Sequence, residues 1–400
     1  MAACRQFLLK KDCNNCLLKA AFCKLFTNSN WQTSVRQPMR IAFITRSTLY
    51  TVPGGDSQQV LQTARMLKSM GTEVDIKLAN EKIDYESYDL LHFFNIIRPA
   101  DMLLHIKRSN KPFIVSTILI DYSVYDKQQR PGIAGKLFRL LPVRNTEYLK
   151  TLFRCLLKRD SMVSIDYLWK GQRRSIKEIL SKAACVLVQA KEEYNDLVDL
   201  YNIRPSFAII KNGVDTSLFK YDDPIQKENN LVLCVARIEG LKNQSSLIKA
   251  LNNTPYKLVL IGDAAPNQKE YYRQCKKNAA ENITFIPRLP QQQLVHYYAA
   301  AKVHVLPSWF EVCGLSSLEA AAMGCRLVIT SNGYATSYFG DAAHYCDPAQ
   351  PDSIFKAVTS AMTARDNGDL KENIIQNYTW QKTAEQTLMV YKKYIKQCSH

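Results

Sequence analysis

Two glutamates with seven residues between them, Glu311 and Glu319, stand where a loop gives way to a helix in the stretch 307–324. An apolar strand ending at Leu306 feeds the loop that carries Glu311; a helix starting near Leu315 carries Glu319 one turn inside. The amides around Gly314, Leu315 and Ser316 have no intrahelical acceptor, so this helix start can receive a diphosphate. One carboxylate can then accept from a sugar hydroxyl beside the phosphates while the other reaches a second hydroxyl pair, since an ionised carboxylate offers acceptors only. A second anion-binding loop is written as Pro53-Gly54-Gly55-Asp56-Ser57 ahead of a helix. Its glycines let the backbone approach a phosphate, and Asp56 or Ser57 caps the helix. No G-x-G-x-x-G follows, which argues against a nicotinamide oxidoreductase.

The elements that must hold these loops alternate between strand and helix. Short apolar runs at 40–45, 73–78, 89–94 and 112–117 suit buried parallel strands, and 57–70 has helical periodicity that stops at Gly71. The second half repeats the grammar, with strands at 231–236, 257–261, 282–286, 302–306 and 326–330 and helices at 243–252, 268–280, 291–300 and 315–323. The expected class is α/β, with two Rossmann-like domains, 39–215 and 216–378, facing across a cleft. That cleft is the default ligand site. His92, inside an apolar strand, reads as a strand residue rather than a base.

Of 53 Lys and Arg against 36 Asp and Glu, a net +17, ten units lie in one stretch. Residues 127–182 hold fourteen basic and four acidic side chains interleaved with Leu, Phe and Tyr. An amphipathic basic insertion of this kind fits an anionic membrane surface, and it fits equally a solvated insertion with its apolar side on the N-terminal domain. Nucleic acid is excluded as a partner because no recognisable binding module accompanies the charge. No run is long and apolar enough to cross a bilayer, and Arg5, Lys10, Lys11 and Asp12 interrupt any secretory h-region. The expected location is cytoplasmic, peripheral on the inner membrane face if the insertion binds lipid. Twelve cysteines are then reduced thiols. Cys4, Cys13, Cys16 and Cys23 in the extension 1–38 are too irregularly spaced for a zinc site, and the segment reads as an amphipathic helix.

The spacing of Glu311 and Glu319, with Pro307-Ser308, Gly314-Leu315, Leu318-Glu319-Ala320 and Gly324 around it, closely resembles the donor-site motif of the group 1 (family 4) retaining glycosyltransferases, which have the GT-B fold. The resemblance runs over 39–396. It implies that Glu311 contacts the donor sugar, that Glu319 contacts the ribose, and that the amides of Cys313, Gly314, Leu315 and Ser316 hold the sugar or diphosphate. The segment 235–243 resembles the family loop whose Arg and Lys clamp the diphosphate, here Arg237 and Lys242; a planar fork and a mobile point charge suit a leaving diphosphate. Gly262-Asp263 matches a strand-end pair beside the nucleotide, and Gly54, Gly55 and Asp56 match the loop over the phosphate and acceptor. Lys211-Asn212-Gly213-Val214-Asp215 resembles the domain hinge, and 379–400 the helix that crosses back to the first domain.

Three departures stand out. Where the family often carries a His after the strand at 112–117, this chain has Ile118, Leu119 and Ile120 before Asp121, which leaves Asp121 as a substrate contact or a strand-end cap. Pro287 replaces a usual Gly in the base-reading segment, and Ser337 stands where many members have Glu. The implied activity is retaining transfer of a hexosyl or N-acetylhexosaminyl group from a nucleoside diphosphate sugar to a glycan or lipid-linked hydroxyl, in cell-surface polysaccharide or glycolipid synthesis. Neither metal nor other cofactor is expected, since cations and amides neutralise the diphosphate. The competing expectation is a noncatalytic sugar-nucleotide-binding scaffold at the membrane.

Overall fold

A computed structural model describes residues 38–120, 165–220, 226–365 and 368–397. The cysteine-containing extension, Asp121 and the bulk of the basic insertion, 127–164, lie outside the described residues. The first half builds a parallel sheet from β1 (Arg40–Thr45), β2 (Glu73–Leu78), β3 (Leu90–Phe94), β4 (Phe113–Ser116), β5 (Cys185–Val188) and β6 (Phe207–Ile209), in the order β2-β1-β3-β4-β5-β6. The second half builds another from β7 (Glu228–Val235), β8 (Lys257–Ile261), β9 (Ile283–Ile286), β10 (Ala301–Leu306), β11 (Arg326–Thr330) and β12 (His344–Cys346), in the order β12-β11-β10-β7-β8-β9.

Helices cover both faces of each sheet, so central strands must be apolar along their whole length. All five residues of β3 are buried, as are the last five of β1. Each fully buried Leu, Ile or Phe in such strands contributes about 1.5–3 kcal/mol over an exposed one. The order of each sheet reverses once, between β1 and β3 in the first and between β7 and β10 in the second. In open parallel sheets a ligand binds outside the carboxyl ends of the strands at that reversal. Four loops are thereby selected: those after β1, β3, β7 and β10. Both sheets belong to one compact unit that starts at Met39.

Two segments tie the halves together. Helix Trp380–Gln397 lies on the first half, where Ala384 and Tyr391 join the apolar cluster of Phe43, Val60 and Leu67. The Tyr391 hydroxyl shares a 2.5 Å hydrogen bond with His92 Nδ1, and His92 Nε2 shares one of 2.9 Å with the Ser116 hydroxyl. Burial pushes the His92 pKa down to about 3, so this imidazole stays neutral and structural. Ahead of that helix, Val214 N–H donates to Tyr378 O (2.8 Å) and the Thr383 hydroxyl to Lys211 O (2.8 Å). Gly213 is required there, because a Cβ would fall 2.1 Å from the Thr379 carbonyl carbon.

The end of the basic stretch falls within the described residues. Residues 165–182, counted above with the basic insertion, form helix Ile165–Lys182, the crossover leading into β5. Tyr167, Ile176, Ile179 and Leu180 are buried in the first-half core, so this part is integral to the domain. No helix among the described residues is long and apolar enough to cross a membrane.

Candidate active site

A cleft of about 600 Å³ opens between the two sheets, and all four switch-point loops line it. From the first half come Arg46, Gly54, Gly55, Asp56, Asn95, Arg98 and Ile118; from the second, Arg237, Lys242, Arg288, Glu311 and 312–316. Two helix starts meet here. Helix Gly55–Ser69 begins behind Gly54, helix Leu315–Ala322 begins behind Gly314, and a Cβ on Gly55 would reach Leu315 Cδ1 at 3.8 Å. Gly314 takes φ +72°, left-handed backbone that a side chain disfavours. Each helix start presents unpaired amides and the positive end of its dipole to the same space.

The cations stand around it. Lys242 Nζ donates to Glu311 Oε2 at 2.7 Å, and the Ser308 hydroxyl donates to the same oxygen at 3.0 Å. The second carboxylate oxygen has no hydrogen bond among the described residues. Arg237 pairs with Glu239 at 3.1 Å, with 42% of its side chain exposed. Its guanidinium reaches across the cleft: a Cβ on Gly54 would lie 3.9 Å from Nη1. Glu311 is fixed through its backbone, donating to Asn332 O (3.0 Å) and accepting from Tyr334 N–H (2.9 Å). Its neighbour Val312 and Tyr334 sit in the first-half apolar cluster, and the Tyr334 hydroxyl donates to Asp196 Oδ2 at 2.8 Å. The loop bearing Glu311 is thus seated by contacts from the opposite half.

Other expected site residues occupy different places. Glu319 does not line the cleft; its Oε1 accepts from Gln291 Nε2 and its Oε2 from the Tyr298 hydroxyl, each at 2.9 Å. Burial raises its pKa to about 7, against which the two hydrogen bonds work. Because the folded-state value is raised, the stability gained from the neutral form is complete below about 4.5 and is lost as pH rises through about 7. Glu319→Gln keeps both partners and removes the charge. It is expected to stabilise the fold at pH 8 by on the order of 1–2 kcal/mol and to match wild type near pH 4, read from urea denaturation at both pH values.

Gly262 and Asp263 do not line the cleft either. Gly262 has φ +152°, and a Cβ there would strike Ala236 O at 2.0 Å. Asp263 O accepts from Ile238 N–H (2.9 Å) and its carboxylate from Arg288 N–H (3.1 Å), so the pair shapes the loop that presents Arg237. Asp56 lines the cleft, but its carboxylate is held by Arg46 at 2.6 and 3.0 Å and by the Ser57 amide. Burial works to raise its pKa, and the Arg46 bond and charge, the Ser57 amide and the Arg237 charge outweigh it, so the carboxyl sits below its usual range. Cys313 is buried, and burial with the Glu311 carboxylate drives its thiol up, which leaves it inert as a nucleophile.

Two residues beyond the expected set organise the site. Arg46 also donates to Thr48 O and Val52 O, each 2.8 Å, and so folds the loop that ends in Gly54-Gly55. Glu193, wholly buried, accepts from the Thr117 hydroxyl (2.5 Å), Leu119 N–H (2.9 Å) and Gln189 N–H (2.6 Å). Between those anchors Ile118 is held at φ +47°, a strained conformation for a β-branched residue, on the cleft wall. Asn95 (φ +73°) and Asn212 line the same side, each with a buried side-chain oxygen that lacks a hydrogen-bond partner among the described residues.

Residues 217–379 match the family model described as "Glycosyl transferases group 1". Over its length the chain is similar to a D-inositol 3-phosphate glycosyltransferase of Acidothermus cellulolyticus, 23% identical over 89% of this chain and 90% of that one. Among solved structures, sucrose-phosphate synthase of Thermosynechococcus elongatus aligns with a TM-score of 0.68 at 18% identity, over 90% of this chain and 100% of the other. The Anabaena protein Alr3699/HepE in complex with UDP-glucose aligns with a TM-score of 0.65 at 14% identity, over 89% of this chain and 100% of that one. Residues 217–379 thus match the group 1 glycosyltransferase model, and the two sheets share the GT-B architecture of these solved structures.

Proposed function

We propose that the protein moves a sugar from a nucleoside diphosphate sugar to a hydroxyl of a glycan or lipid-linked acceptor, with retention at the anomeric carbon. The observation that carries this reading is the convergence of two helix starts, Arg237 and Lys242 on one cleft beside Glu311. The diphosphate would lie against the amides of Leu315 and Ser316 and of Gly55, with Arg237 and Lys242 on its oxygens. As the glycosidic bond breaks, negative charge grows on the leaving diphosphate, and fixed cations and amides stabilise it without reorganisation. Glu311, with one oxygen uncommitted, would accept from a hydroxyl of the donor sugar.

The acceptor enters from the first half, where the orphan oxygens of Asn95 and Asn212 call for hydroxyl donors. The curated relative acts, by its name, on an inositol phosphate, and Alr3699/HepE binds UDP-glucose; a phosphorylated polyol and a uridine diphosphate hexose therefore head the substrates to test. Nucleoside diphosphate release should require both donor and acceptor, persist in excess chelator, and fall about 10²–10³-fold in Glu311→Ala. Donor binding without acceptor-dependent release would instead support a noncatalytic sugar-nucleotide scaffold.

A further inference from the structure

Glu311 belongs to the second half, yet its neighbours are anchored on the first. Phe310 before it and Val312 after it pack on the first-half apolar cluster. Tyr334 is buried in the same cluster, and the Phe310 ring meets its ring edge to face at 5.4 Å. Because Glu311 O accepts from Tyr334 N–H at 2.9 Å, a shift of Tyr334 carries the peptide of Glu311 with it. Apolar packing alone has no direction and tolerates sliding, whereas a hydrogen bond to a charged acceptor fixes distance and angle. The Tyr334 hydroxyl makes such a bond, donating to Asp196 Oδ2 at 2.8 Å. Asp196 stands on helix Lys191–Tyr201, three residues after Glu193 and so on the same side. Glu193 holds the Thr117 hydroxyl and Leu119 N–H on either side of Ile118, and Gln189 N–H as well. One helix thus grips the cleft wall of the first half through one carboxylate and the loop of Glu311 through the other.

We propose that Tyr334 and Asp196 are a positioning pair, through which the helix sets the Glu311 carboxylate against the first-half wall. Neither residue lines the cleft, so both act through the loop. The first half would then strengthen binding of the donor sugar without touching it, and one helix would fix the gap between that sugar and the acceptor wall. The inference rests on the reading of Glu311 as a contact to the donor sugar.

The test is calorimetric binding by the full chain of uridine diphosphate and of its glucose, galactose and N-acetylglucosamine derivatives. The tightest derivative defines the gain in affinity that the sugar brings. Tyr334→Phe keeps the buried ring and removes only the hydroxyl. It should lower the affinity for that derivative about tenfold, the worth of one hydrogen bond to a carboxylate, and leave the affinity for uridine diphosphate alone unchanged. Asp196→Ala should do the same, and Asp196→Asn, which still offers the hydroxyl an acceptor, should recover most of the gain. In a Glu311→Ala background, where the gain is already lost, Tyr334→Phe should change nothing further. A contact that serves stability alone would weaken both ligands equally or neither. Either of those results, a further tenfold loss in the Glu311→Ala background, or Asp196→Asn as weak as Asp196→Ala would overturn the proposal. Two failures are distinguishable. If Glu311→Ala keeps the gain from the sugar, or the wild type binds none of these ligands, the reading of Glu311 falls and the inference with it. If Glu311→Ala loses the gain and Tyr334→Phe keeps it, the positioning role alone falls.

Discussion

Lys242→Ala is expected to lower acceptor-dependent release of nucleoside diphosphate about 10²–10³-fold, at a cost in stability of only about 1 kcal/mol. The large effect arises because Lys242 touches both sides of the proposed reaction. Its ammonium holds Glu311 Oε2 at 2.7 Å, and its remaining donors are free for a diphosphate oxygen. Removing it strips a cation from the leaving group and unseats the carboxylate that would hold the sugar. The small effect follows from position. The pair lies on the wall of an open cleft, with side-chain exposures of 20% and 12%, and Glu311 keeps its bond to Ser308. Because the two act as a unit, Lys242→Ala/Glu311→Ala should be little worse than the weaker single variant. Strictly multiplicative losses in kcat/KM would show that the two residues act separately.

Gly333→Ala should disable the site from the far side of the same loop. Gly333 has φ +107°, and a Cβ there would fall 2.2 Å from Glu311 O and 2.9 Å from Glu311 N and C. All three are backbone atoms, so no side chain can swing aside. Either the bridge between Glu311 and Gly333 opens or the loop shifts, carrying Glu311 off Lys242 and Tyr334 off Asp196. The expected loss is more than about 4 kcal/mol of unfolding free energy, in the range that single substitutions reach only through such clashes. Activity per folded molecule should fall about 100-fold or more, since an oxygen displaced by 1 Å no longer positions substrate. Gly340→Ala is the control. It also has positive φ (+47°), but open space surrounds it, so only the conformational penalty of about 1–3 kcal/mol applies. Urea denaturation and turnover measured on the two variants separate clash from strain; equal losses would remove the argument.

Much of this architecture was legible in the sequence because buried parallel strands leave apolar runs and helix ends leave glycines. The runs at 40–45, 257–261 and 326–330 coincide with β1, β8 and β11, and Leu315 begins the helix expected there. Strands of three residues escape such reading: Phe207–Ile209 and His344–Cys346 are too short to show a period and are defined by their neighbours. At 165–182 the sequence left two readings open, and the inward stripe of Ile176, Ile179 and Leu180 agrees with the one that packs on the N-terminal domain. The cleft residues at loop glycines and strand ends were visible, since their chemistry is local. Arg46 and Glu193 were not. Arg46 belongs to no motif, and Glu193 in Lys-Glu-Glu reads as a solvated helix face until tertiary packing places it beneath Ile118. Glu319 was visible as a carboxylate, but its partners Gln291 and Tyr298 come from another helix and decide its charge.

The helix that returns to the first half has a consequence for how the protein is made. Phe43, Val60 and Leu67 are translated early, yet the cluster they form is closed by Ala384 and Tyr391, more than three hundred residues downstream. His92 likewise waits for the Tyr391 hydroxyl. On the ribosome, therefore, the first sheet emerges with one flank uncovered and stays so while the whole second sheet is synthesised. Folding N-terminal domain first and then C-terminal domain, the usual order during synthesis, cannot run to completion here. The first-made half is the last to be finished, and its exposed flank in the interim is where chaperone binding or misassembly would concentrate.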